Sequence, residues 1–471
     1  MVRDQSAGSP LRGFLRRHAT VLVLCLGSAA FTLTNLQHSM LWQDEAQTAL
    51  ISRTVLEHCV PLGTDGRNFF SQEIGAEYAP DYVWRWHTWL PFYVLAAFFG
   101  VLGESTFVAR LPFALCGVAC VVATYQLALA LWNDRRAALA AGTLLAVSVP
   151  FLILTRQCRY YSMTALFSVL AILEYWRLMD GRRYAAGALV AALLLLFHTH
   201  YVYVAALLPA LAMHAVIWHR DRLRSLAGAC ATVGLLCLPW VIWLTGMQYG
   251  RRYGGTMFVP AVAWANLESF LTQIESHSLP ALLLEVPFVA LVVHTVRGTF
   301  RECFRRQLWR GLSLLLLVAA ANLVLLTLVV PGTFFRYLTP LLPLIALLSA
   351  RIATASMRWH WGLGVLLVAL LVSREPLAEY AYELTHDFNG PVDGIVSCLK
   401  SNANDGDRVA ITLRRLASEI LHAAAHRRRA YGRRPGGGSR RRMDHHPTPR
   451  HQPARDACSP LPGSRAEQGA L

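Results

Sequence analysis

Charge is what this sequence has least of. Of its 471 residues only 15% are Asp, Glu, Lys or Arg, against 55% hydrophobic, where a soluble domain carries about 25% charged residues. Much of the surface must face something other than water. Lysine is nearly missing: Lys400 is the only one, so anion binding falls to arginine, histidine or backbone amides. There is no glycine-rich phosphate loop, and the ten cysteines include no CxxC pair. No internal repeat is visible, which argues against a transporter built from duplicated halves. The apolar runs show no apolar/polar alternation, so they are helices rather than barrel strands, the only two structures that satisfy every backbone group in lipid.

What is present is a series of such runs, among them Thr20–Leu36, Leu115–Trp132, Met163–Tyr175, Ala186–Phe197 and Leu312–Val330. They approach the ~20 residues that cross a bilayer core. The first reads as an anchor rather than a cleaved signal peptide. Arg12, Arg16 and Arg17 place the N-terminus in the cytoplasm by the positive-inside rule. Gln37–His87 is then a long outer loop, and the short aromatic stretch Trp89–Gly103 lies along the interface. With that choice about eleven spans follow, each cytoplasmic turn basic, as at Arg135-Arg136, Arg182-Arg183 and Arg220–Arg224. Segments 37–107, 154–161, 245–278 and 331–337 face outward. The expected fold is an all-α polytopic membrane domain over 1–373 whose long first outer loop carries interfacial helices. Residues 374–412 form a partial α/β segment, helix 391–402 then strand 408–412, on the non-cytoplasmic side. Residues 413–471 read as a disordered tail, rich in Arg, Pro and Gly, and fit a frame-shifted end to the gene. The tail holds thirteen arginines against Glu419, Asp444, Asp456 and Glu467. It thus supplies most of the +16 formal charge, and no nucleic-acid partner is expected. Cys25, Cys116, Cys120, Cys230 and Cys237 read as buried hydrophobes, while Cys59, Cys158, Cys398 and Cys458 fall outside, where a disulfide has no support from spacing.

Four groups could carry chemistry. Asp44-Glu45 lies just beyond the first span. As structure, Asp44 caps a helix Glu45–His58; as chemistry, it is a general base at the membrane surface. Arg156 and Arg159, with Tyr160, stand on the face where cations are scarce, either snorkelling to headgroups or clamping a phosphate with their forked donors. Arg336-Tyr337 sits in a turn of about seven residues between apolar spans. His198 and His200 end a span. They resemble half a metal site, but two ligands are few, and bonding to backbone is the plainer role. His87 opens the interfacial stretch after Glu73, Glu77 and Asp81.

Taken in order, Asp44-Glu45, the stretch His87–Gly103 followed by Ala109-Arg110-Leu111-Pro112, Leu131–Ala141 leading to Arg156–Tyr161, and Arg336–Pro343 resemble glycosyltransferase family 39. That family holds the protein O-mannosyltransferases and the bacterial aminoarabinose transferases, of the GT-C fold. The resemblance spans about residues 15 to 412. It implies a GT-C-like fold in a bacterial inner membrane, with the active site on the periplasmic side. It also implies a polyprenyl-phosphate sugar donor and inverting transfer to a glycan, lipid or protein acceptor. Asp44 matches the acidic residue taken as catalytic in that family, here as base. Glu45 would orient it, place the acceptor or bind an optional divalent metal ion. Where related enzymes carry Lys-Pro-Pro, this chain has His87-Thr88-Trp89, which moves the phosphate contact to His87 or to Arg156, Arg159 and Arg336. The rival reading is a membrane transporter or lipid flippase, which predicts ionisable residues near the bilayer midplane.

Overall fold

A computed structural model describes residues 10–72, 75–245, 259–277, 306–330, 332–374, 376–386 and 391–404. The described chain is helical, with isolated β-bridges in the first loop. The helices are α1 (Pro10–Leu33), α2 (Gln43–His58), α3 (Leu90–Leu102), α4 (Thr106–Trp132), α5 (Arg135–Ala146), α6 (Val149–Thr155), α7 (Tyr161–Met179), α8 (Ala185–Trp218), α9 (Leu223–Thr245), α10 (Pro260–His277), α11 (Arg306–Val329), α12 (Leu342–Trp359), α13 (Trp361–Arg374), α14 (Leu377–Thr385) and α15 (Pro391–Asn402). Among the described residues six helices are long and apolar enough to cross a membrane, or seven if the bent pair α5–α6, angled by 62°, forms one span. α1, α3 and α13 hold shorter apolar stretches. The expected span at 279–296, the strand at 408–412 and the tail lie outside the described residues.

α8 is two helices. At 34 residues a straight helix would run about 51 Å, yet its two ends lie together: Arg222, just past α8, packs its guanidinium over Gly181, just before it. The reversal falls at His200, whose backbone (φ −164, ψ 101) leaves the helix. The two expected passes, 184–198 and 201–218, therefore meet without a loop, which puts His198 and His200 at the turn.

α7 lies at the centre, packed on α4 and α8, and α11 packs on α8. One end of this bundle is pinned by charge. Asp134 caps α5 by accepting from the Arg136 and Ala137 amides and pairs with Arg358 of α12 at 2.8 Å. Asp180 pairs with Arg310 of α11 at 2.6 Å. The basic turns of the sequence gather here. The opposite end carries the first loop. α3 begins where Thr88 donates to the Phe197 carbonyl beside the α8 reversal. It ends at Gly103, two residues before the Ser105 cap of α4. Both ends of α3 thus stay at one side of the bundle, with Leu95 and Phe99 packed on Ala49 and Phe113.

α14 departs from the expected boundary at 373. The chain divides after Phe388, and α14 belongs to the membrane unit. The Tyr380 hydroxyl donates to the Phe31 carbonyl at 3.0 Å, and the Asn35 amide donates to the Leu384 carbonyl at 2.9 Å. Tyr380, Leu377 and Leu384 pack on Val149 and Leu152. An amphipathic helix here finds apolar cover on α6, so it docks rather than opening a separate soluble domain. α15 forms its own unit.

Candidate active site

The first turn of α2 sets two carboxylates side by side, and the fold gives them different neighbours. α2 is capped by Trp42, not by Asp44, because the helix begins two residues earlier than expected. Glu45 reaches back to accept from the Trp42 amide at 3.3 Å. It is fully buried. Its oxygens accept from Arg110 Nε at 2.8 Å and Nη2 at 2.7 Å, a two-pronged pair, and from the Cys158 amide at 2.7 Å. Arg110 spends its remaining donors on the carbonyls of Leu36, Ser39 and Met40. Glu45 and Arg110 thereby tie α2, α4, the chain leaving α1 and the loop before α7 into one knot. Every strong acceptor of Glu45 is used within the protein, which leaves it no free oxygen for substrate or metal.

Asp44, also buried, is held differently. Its Oδ2 stands 3.6 Å from Arg159 Nη2 and 3.5 Å from Arg336 Nη1. These are ion pairs at the edge of hydrogen-bond range. Arg159 is anchored by donating to the Asp44 carbonyl at 3.2 Å and to the Thr48 hydroxyl at 3.0 Å, and it lies over the Tyr160 ring. Arg336 donates no hydrogen bond among the described residues. Its guanidinium is framed by the rings of Phe334 at 4.4 Å and of Trp42 and Tyr337 at 5.8 Å, a setting that favours a cation through the ring faces. Tyr337 is held by its carbonyl, which accepts from the Tyr203 hydroxyl at 3.0 Å. The arrangement is thus one carboxylate between two guanidiniums, one of which keeps its forked donors free.

Behind Arg159 sits an aromatic and imidazole cluster. The Tyr160 ring lies 5.7 Å from His87 and 4.8 Å from His200. His87 is buried and stacked on Phe92 at 5.0 Å. Burial, with the positive charge of Arg159 second, pushes its pKa down to about 3. A histidine that stays neutral cannot stand in as the cationic phosphate contact. His198 faces the other way, edge-on to Trp240 at 5.6 Å.

Arg156 leaves the group. It closes the C-terminus of α1, donating to the carbonyls of Phe31, Thr32, Thr34 and Asn35 at 2.7–3.2 Å. It is neither snorkelling nor beside Asp44. Asp81 pairs with Arg85 and Glu77 accepts from Ser71, both inside the first loop, and Glu73 lies outside the described residues. Cys59 and Cys158 are free thiols. Among the described residues no three His, Cys, Asp or Glu side chains converge to hold a metal ion. The donor set also fits one poorly: the open carboxylate faces two guanidiniums, and His198 and His200 point to different neighbours. Arg110 is the residue that reading the sequence missed. The signal was an arginine within the first turns of a span, on the side where cations are scarce.

Residues 86–243 match the dolichyl-phosphate-mannose-protein mannosyltransferase family. The undecaprenyl phosphate-alpha-4-amino-4-deoxy-L-arabinose arabinosyl transferase of Pseudomonas aeruginosa (strain LESB58) is 28% identical over 249 residues, 48% of this chain and 41% of that protein. Its counterpart in Pseudomonas paraeruginosa gives the same figures. The aligned region thus covers about two fifths of these relatives' length. Among solved structures, ArnT from Cupriavidus metallidurans bound to undecaprenyl phosphate superposes with a TM-score of 0.52 at 16% identity, covering 77% of this chain and 64% of that one. The Archaeoglobus fulgidus oligosaccharyltransferase tethered with an acceptor peptide gives 0.51 at 12%, covering 84% and 58%. The fold is that of the GT-C membrane proteins, and the resemblance to glycosyltransferase family 39 is borne out.

Proposed function

We propose that this protein is a membrane glycosyltransferase that moves a sugar from a polyprenyl-phosphate carrier to a hydroxyl or phosphate acceptor on the outer, periplasmic face, with inversion. The observation that carries this reading is Asp44 set between Arg159 and Arg336 at the loop-bearing end of the bundle. The likeness to aminoarabinose transferases and to a structure holding undecaprenyl phosphate supports the donor class.

The carrier's tail enters between spans and its phosphate stays at the interface. Asp44 takes the proton of the acceptor hydroxyl. The acceptor oxygen forms its bond to the anomeric carbon from the face opposite the phosphate. The bond from that carbon to the phosphate oxygen breaks, and its electron pair leaves on the lipid phosphate. Arg336, with donors free, and Arg159, fixed by Thr48, hold the charge that develops there. Such donors count most when they are in place before reaction and shielded from water. As the phosphate draws the guanidiniums, Asp44 loses two ion pairs that are already long and is freed to act as base. Glu45 acts only through the Arg110 knot that fixes the pitch of α2.

A lipid flippase or transporter is the second reading. In the described spans the ion pairs collect at the two ends, around Asp44 and around Asp134 and Asp180, rather than at the midplane. Vesicles reconstituted with the protein, labelled polyprenyl-phosphate sugar and acceptor separate the two. Label transferred to acceptor supports the proposal, and net lipid movement without transfer hands the case to the rival.

A further inference from the structure

His87 is built as a hydrogen-bond acceptor that the protein does not use. Its Nδ1 lies 3.1 Å from the Thr88 carbonyl. A carbonyl can only accept, so Nδ1 carries the hydrogen and Nε2 carries the lone pair. His87 is 5% exposed, its ring stacked on Phe92 and edge-on to Trp84 at 6.0 Å, and these apolar neighbours disfavour a second proton. Nε2 is buried with no hydrogen-bond partner among the described residues. Buried polar atoms left unpaired are rare in folded proteins. A second orphan, His200 Nδ1, stands across the Tyr160 ring. The guanidinium of Arg159 lies 5.4 Å from the centre of that same ring. The two unpaired nitrogens are thus one aromatic ring away from a proposed phosphate anchor, about the reach of a sugar joined to that phosphate.

We propose that His87 Nε2, with Tyr160 and His200 around it, reads the sugar of the lipid carrier by accepting a hydrogen bond from one ring hydroxyl. A bare lone pair repels phosphate oxygens, so this histidine selects the sugar and not the carrier's charge. The proposal rests on the donor class given above and adds which residue discriminates among donors.

The test uses the full chain in lipid nanodiscs with three probes: unglycosylated polyprenyl monophosphate, a polyprenyl-phosphate hexose, and the set of monodeoxy versions of that hexose. His87→Phe keeps the ring stack and removes both nitrogens. It is expected to bind the bare monophosphate as wild type does and the hexosyl carrier about tenfold more weakly, the size of one net hydrogen bond. One deoxy probe should bind wild type and His87→Phe alike, and His87→Gln, which can place an amide oxygen near Nε2, should recover most of the loss. Equal weakening toward the bare monophosphate overturns the proposal, as does an unchanged affinity for the hexosyl carrier. Should His87→Phe not fold, wild type alone decides: equal binding of every deoxy probe and the parent overturns it. Wild type that binds hexosyl and bare carriers but transfers nothing fails the proposed function. Wild type that transfers while His87→Phe is indifferent fails only this inference.

Discussion

Asp44 and Arg336 come from opposite ends of the membrane unit in sequence, and their charged groups stand 3.5 Å apart. The turn that carries Arg336 is the 3-10 helix Phe335–Leu341, packed on α7. It delivers the guanidinium to the first turn of α2 while Phe334, Trp42 and Tyr337 hold it among their faces. A contact made by such distant segments depends on the whole bundle, and its consequences can be measured one residue at a time.

Arg336→Ala removes the free donors that the proposed reaction sets against the leaving phosphate. Transfer should fall about 10²–10³-fold, the usual effect of losing one such donor. The KM for carrier should rise and the KM for acceptor should hold. Steady-state kinetics with each substrate varied in turn measures this. Equal effects on both substrates argue against a phosphate role.

Glu45 and Arg110 are predicted to matter for folding. Removing one partner of a buried ion pair costs about 3–5 kcal/mol, because the other charge is left uncompensated. Arg110→Ala should lower the Tm in detergent sharply. Arg110→Lys should not restore it, since lysine cannot make the two-pronged contact and reach three carbonyls as well. A variant with normal Tm and lost transfer would move this pair into the chemistry.

Arg156→Ala should loosen the α1–α14 corner, seen as faster amide exchange at Phe31–Asn35, while the carrier's KM stays near the wild-type value. Arg159→Ala should do the reverse. A large carrier effect from Arg156→Ala would show that the corner and the site are coupled.

His87 makes a pH prediction. Its pKa falls from 6.5 to about 3 on folding. Between those values the unfolded chain binds a proton that the folded one does not, so this group makes stability rise with pH across that window and fall on acidification, by up to about 1.4 kcal/mol per pH unit. His87→Phe should therefore lose less Tm than wild type between pH 7 and pH 5. An equal loss in both proteins contradicts the buried neutral state.

Much of the frame was legible because it follows from hydrophobicity and charge. Long runs gave the helices, and the basic turns gathered at one end, with Asp44 left at the other. The fine assignment was not legible. Arg156 and Arg159 are three residues apart in one loop, yet one closes α1 and the other reaches Asp44. Their directions are set by the end of α6 and by the turn in which the Arg159 amide donates to the Gln157 carbonyl, and neither leaves a mark in composition. Asp44 and Glu45 are likewise adjacent in sequence. Only the arrival of Arg110 from α4 shows that one is committed to structure and the other is open. α14 looked soluble because half of its face is polar, and its apolar half needed α6 to be seen as a partner.

The proposed reaction needs Asp44 to take the proton during transfer. Asp44→Asn keeps the side chain's shape and removes the base. With labelled polyprenyl-phosphate sugar and acceptor in vesicles, it should insert, fold and still bind carrier, while transfer drops to background. Transfer at the wild-type rate by a folded Asp44→Asn protein would remove Asp44 from the reaction.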